Sequence, residues 1–170
     1  MMKWMFLVAL LGLAGCATQS CETPVALDKQ TQRLLFNNDM LQAKLLITSG
    51  DLEHLPLADA LLERNIAQDT RGEIAFYQAI SRIRQAAPVN QILDALQRSA
   101  GRQHPHAVAL LYKMYNEPFL LARADRAKAA EYRAAYADLD VAKSGYPSFS
   151  RALMVVDRLV NPPPEFARRR

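Results

Sequence analysis

His104-Pro105-His106 is the only histidine pair in the chain. Two imidazoles one residue apart can share a metal when the backbone is extended, but a zinc site takes three or four ligands. No cysteine or acidic cluster lies near them in sequence, so no metal is expected and the pair reads as a helix start carrying exposed imidazoles. His54, alone in the stretch after Gly50, reads as solvent-facing. Glu73 follows Thr70 at capping-box spacing, in which hydroxyl and carboxylate each satisfy a backbone amide. A catalytic carboxylate would need a partner or a raised pKa besides. Gly145-Tyr146-Pro147-Ser148 lacks the second glycine of a nucleophile elbow. No Gly-rich segment precedes a helix with Lys-Ser or Lys-Thr, as a phosphate loop requires. The expectation is a protein that is not an enzyme and carries no cofactor.

Tyrosine is unevenly placed. Tyr112, Tyr115, Tyr132, Tyr136 and Tyr146 crowd into one stretch, with Phe119 and Phe149 nearby. Interfaces favour tyrosine because it offers a large contact area for little side-chain entropy. Tyr112, Tyr115, Tyr132 and Tyr136 are therefore the candidate partner-binding residues, facing one groove. Packing between helices with wet hydroxyls uses the same four residues.

The remaining candidate is Cys16, at the end of an apolar run. Lys3 supplies a charge and Trp4 to Leu13 form a run of about ten residues, the length of a secretory core and about half of a spanning helix. Leu13-Ala14-Gly15-Cys16 resembles the lipobox of bacterial lipoproteins, with small residues before the cysteine. That resemblance implies lipidation of the Cys16 thiol, cleavage before it, and acylation of the new amino group. Three chains would hold the protein on a bilayer where one chain binds only reversibly. Ala17 follows, where an aspartate tends to retain lipoproteins in the inner membrane, so the resemblance implies the outer membrane, periplasmic face. The membrane is then one partner, through Cys16, and nucleic acid is excluded by the address.

Residues 1–15 thus read as signal peptide, 16–23 as a lipidated tether, 24–160 as a single helical domain and 161–170 as a Pro-rich and Arg-rich tail. A body of this length can bury a real core. The full chain carries 21 Lys+Arg against 17 Asp+Glu, and Arg168, Arg169 and Arg170 concentrate that small excess in a basic tip. With Cys16 lipidated, Cys21 is the one thiol left, so no internal disulfide is available and packing must stabilise the fold.

Helical patterning covers most of the body. Leu27, Leu34, Leu41 and Leu45 line one stripe of a long helix ending near Thr48, and so short a heptad run reads as a core stripe. Further helices are predicted at 57–67 (Ala58, Leu61, Leu62 and Ile66 inward), 70–86 (Ile74, Phe76, Ile80), and from Val89 to a stop at Gly101. Others start at Pro105, at the alanine-rich Asp125 and at Pro147-Ser148, the last with Phe149, Ala152, Leu153, Val156 and Leu159 inward. No segment alternates as a strand does. The fold class is all-α, a helical bundle or short α-solenoid of antiparallel helix pairs with six to seven helices.

The starts at Pro105 and Pro147 are spaced like stacked helix hairpins. Ala107, Leu111 and Tyr112, then Lys128, Ala129, Tyr132 and Ala135, resemble a degenerate tetratricopeptide unit of the Sel1-like kind over residues 71–160, with Asn116 and Glu117 where that family has glycines. An irregular bundle without a repeat explains the same spacing. The combined resemblance implies a pilotin-like or tetratricopeptide-like adaptor holding an envelope protein or peptide segment. The alternatives are a cell-wall or lipid-acting enzyme, with Glu73 or Glu131 as its carboxylate, and an inhibitor or exclusion lipoprotein.

Overall fold

The computed structural model describes residues 26–145 and 147–161. Cys16, Cys21 and the basic tip therefore lie outside the described residues, as does Tyr146. The chain divides into a unit ending at Arg33 and a larger one beginning at Leu34. In the first, Asp28 caps the start of a helix: Gln30 N and Thr31 N donate to its Oδ1 at 2.8 and 3.0 Å. An acceptor carboxylate there satisfies amides that have no partner within the helix.

Among the described residues there are eight α-helices and no strand, so the all-α expectation holds. They are α1 (Lys29–Thr48), α2 (Leu55–Glu63), α3 (Glu73–Arg84), α4 (Val89–Gly101), α5 (Pro105–Asn116), α6 (Arg126–Asp138), α7 (Asp140–Lys143) and α8 (Phe149–Val160). The count exceeds six to seven because Leu139, extended after α6, lets a four-residue turn of helix form before Gly145. Local signals set most starts. Pro56 sits in the first turn of α2 and Pro105 opens α5. Asp125 and Ser148 cap α6 and α8 by accepting from Lys128 N and Arg151 N.

The larger unit packs α3 on α4, α4 on α5 and α5 on α6, with α8 returning to cover α5 and α3. A solenoid limits each hairpin to its neighbours. The return of α8, with Arg84 donating to the Leu159 carbonyl at 3.1 Å, makes this a closed bundle. Its centre is Phe76, Ile80, Ile92, Leu96, Leu110, Leu111 and Met114, each almost wholly buried.

Three local expectations are corrected. The leucine stripe of α1 faces outward: Leu34, Leu41 and Leu45 are 60%, 58% and 60% exposed, while Met40, Ala43 and Ile47 are buried. The reason is a buried carboxylate on the inner face. Asp39, 3% exposed, accepts from Arg64 Nε at 2.6 Å and Asn65 Nδ2 at 2.7 Å, locking that face against the end of α2. Ile66 is exposed because α2 stops at Glu63 and a separate 3-10 turn carries it.

The capping box also fails. Gly72 caps α3 at φ +71°, and the Thr70 side chain takes no part. Asp69 accepts from Ala75 N at 3.1 Å and from Arg102 at 3.0 Å, so a buried carboxylate ties the start of α3 to the end of α4. Gly72 also lets the start of α3 lie close against α4, since a Cβ there would stand 2.6 Å from the Ser99 carbonyl oxygen. Gly101 is the last residue of α4, as expected, and Gln103 just beyond it takes a left-handed φ of 61°.

Candidate functional site

The four tyrosines do not share one open groove. Tyr136 is 2% exposed and Tyr115 8%, so both belong to the core. Tyr136 donates its hydroxyl to the Pro147 carbonyl at 2.6 Å and meets Phe149 edge-on at 5.0 Å, fastening α6 to the start of α8. Tyr112 meets Phe149 edge-on at the same distance, so Phe149 bridges α5 and α6. Tyr115 stacks on Tyr132 at 5.7 Å, and Lys128 lies 4.7 Å over Tyr115. Burial raises the pKa of Tyr132 and Tyr136, as desolvation disfavours the phenolate. The physical reason is α6 itself. Its alanines present a thin face, so tyrosine rings must fill the space between it and α5.

Of the four, only Tyr112 lines the open groove of about 400 Å³ between α5 and α8, while Tyr136 borders a separate hollow of about 360 Å³ with Arg133, Ser148 and Phe149. Leu153 and exposed Met154 supply its apolar wall from α8, while Lys113, Asn116, Glu117 and Asp157 form its polar side. Lys113 is bonded to Glu117 and lies 3.2 Å from Asp157. Burial pulls its pKa down, but hydrogen bonds to the two carboxylates outweigh that and hold it raised. The cation is thus fixed between two acids, leaving one net negative charge beside an apolar wall. Such a surface suits an apolar side chain next to a basic one, and methionine adapts to the shape it meets.

The sequence reading did not single out this groove. Two signals were present: the Lys113–Glu117 spacing is that of neighbours on one helix face, and Met154 is apolar on the polar side of α8.

A second cluster corrects the reading of the histidines. His104 stacks on Phe76 at 4.8 Å and is half-buried, as is His106, 5.6 Å away. The His104 Nδ1 atom is buried without a hydrogen-bond partner. Burial first, then the nearby His106 and Lys44, drive the His104 pKa down to about 3. Burial lowers that of His106, opposed by Glu73. These imidazoles pack because α5 begins beside the large Phe76 ring, whose flat face an imidazole covers. Glu73, at their edge, is held by Lys44 at 2.5 Å. Among the described residues no group of three or more His, Cys, Asp or Glu side chains is placed to hold a metal. His54 stands exposed beside Asp51 at 3.4 Å.

Compared with models of protein families, with curated proteins and with solved structures, the chain matches none.

Proposed function

We infer that this chain is a lipoprotein anchored through Cys16 to the periplasmic face of the outer membrane, whose helical body works as an adaptor for an envelope protein complex. The anchor half rests on Leu13-Ala14-Gly15-Cys16 and its preceding apolar run. The adaptor half is carried by one observation, the α5–α8 groove with an apolar wall and an acidic edge on a rigid helical frame. It fits a peptide or helix segment that places an apolar side chain beside an arginine or lysine. Tyr112 is the member of the tyrosine group that keeps a binding role; Tyr115, Tyr132 and Tyr136 position α6 behind it.

The test is crosslinking of the chain in its native envelope, followed by mass spectrometry of what it captures. A Met154→Asp variant should lose the captured partner while melting as the parent does, because its side chain is exposed and outside the Lys113 pairs. Undiminished capture by that variant rules the groove out.

A cell-wall or lipid-acting enzyme is the second reading, favoured by the meeting of Glu73, His106 and His104 around Phe76. Glu73→Gln would then abolish hydrolysis of peptidoglycan or phospholipid and leave stability nearly unchanged. Under the adaptor reading no such activity exists to lose.

A further inference from the structure

The outward leucine stripe of α1 has a repeat that core packing does not use. Within the larger unit, Leu34, Asn38, Leu41, Leu45 and Thr48 alternate at spacings of four and three, the a/d pattern of a helix pair. Leucine holds two of the d positions, and Asn38 sits at an a position between them. All five residues are exposed, while the opposite face, with Met40, Ala43 and Ile47, is committed to the bundle. The flanking positions are Leu35, Asn37, Gln42 and Lys44, of which only Lys44 is charged, and it is bound by Glu73.

We propose that this face pairs with the same face of a second copy of the chain, the two α1 helices lying parallel about a two-fold axis. Self-pairing brings like against like, so any free charge on the seam would repel its own image. This seam has none. Asn38 adds direction: an amide both donates and accepts, so it satisfies its own copy across a parallel two-fold, and a single such residue fixes register. A lipid surface suits the face less well, because a helix lying on anionic headgroups carries free basic flanks, whereas here Leu35, Asn37 and Gln42 are uncharged and Lys44 is taken up by Glu73.

The seam runs about 21 Å, from Leu34 to Thr48. It spans about two heptads, where a self-sustaining coiled coil takes about three or four. Pairing is therefore weak in dilute solution and depends on local concentration, which a shared membrane can raise to the millimolar range. In that respect alone the proposal rests on the anchored reading.

Single cysteines test it in a full-length Cys21→Ser background in intact cells. Leu34→Cys and Leu45→Cys should each give a disulfide-linked band of twice the chain mass. In an antiparallel pair centred on the seam at Leu41, positions 34 and 45 would be about 21 and 12 Å from their own copies, beyond disulfide reach. Glu131→Cys, on exposed α6, should give none. Adding Leu41→Lys should reduce the Leu34→Cys band at least tenfold without changing the melting temperature, as Leu41 is outside the core. Palmitate labelling is read in the same samples. Labelled chain with no band, a band as strong from Glu131→Cys, a band surviving Leu41→Lys, or linkage to a different protein overturns the pairing and leaves the anchor standing. Unlabelled chain overturns the anchor instead. The pairing is then decided by sedimentation of purified chain at millimolar concentration, where a dimer supports it and a monomer overturns it.

Discussion

Gly72→Ala tests whether α3 and α4 are held at the distance their backbones set. Three costs meet at this one atom. At φ +71° an L-residue loses about 1–2 kcal/mol relative to glycine. The new Cβ would stand 2.6 Å from the Ser99 carbonyl oxygen and 2.9 Å from its Cα, both backbone atoms that cannot swing aside. Overpacking of that kind costs about 1–3 kcal/mol. Separating the helices also strains the bond from Ser99 Oγ to the Gly72 carbonyl, now 2.6 Å, for about 1 kcal/mol more. The total is about 3–6 kcal/mol. Gly145→Ala is the internal control, because its φ of +81° is equally unfavourable but a Cβ there meets nothing within 4 Å. It should lose only the dihedral cost, about 1–2 kcal/mol. Urea unfolding followed by far-ultraviolet circular dichroism reads both. With a slope of about 2 kcal/mol per molar, the midpoint should fall by about 1.5–3 M for Gly72→Ala and about 0.5–1 M for Gly145→Ala. Equal midpoints for the two variants would refute the close approach as a source of strain.

Asp39→Ala should lower stability by about 2 kcal/mol, because Asn65 and Arg64 lose their acceptor while the exposed guanidinium still finds water. The hydrogen bond from Arg64, working against burial, holds the Asp39 pKa below its ordinary 3.8, so the contribution is intact above about pH 4 and fades below it. Acid titration of parent and variant should therefore converge. His104→Phe keeps the stack on Phe76 and removes the unpaired Nδ1. The unfolded imidazole takes a proton near pH 6.5 that the folded one refuses until about pH 3, so the parent loses stability across that window as pH falls. The variant should show a visibly flatter slope between pH 6 and pH 4, leaving His106 as the remaining imidazole of the cluster. Globomycin treatment should accumulate a larger precursor, and Cys16→Ser should release the chain from membranes without detergent; an unchanged pattern on gels would count against the anchor.

Much of the helical outline was legible in the chain because its causes are local. Proline at the starts of α2 and α5, side-chain caps at Asp125 and Ser148, and apolar periodicity all act within a turn or two. Facing was another matter. Viewed down its axis, α1 carries apolar residues on two opposite sides: Leu34, Leu41 and Leu45 on one, Met40, Ala43 and Ile47 on the other. Counting greasy residues favours the leucines. The bundle turned them out, because only the other side carries Asp39 in reach of Arg64 and Asn65, partners about 25 residues away in sequence.

The tyrosines illustrate the same boundary. Their clustering in sequence was plain, but nearness along a chain does not separate rings that pack between helices from rings that line a groove. Tyr115 and Tyr136 are buried because α6 is thin, and Tyr112 is left open because α8 returns from some forty residues further on. The sequence alone determined where most helices start and break, since those free energies are set between residues a turn apart. Which faces meet, and hence which side chains remain to grip a partner, was decided by contacts between distant segments that exist only once the bundle has closed.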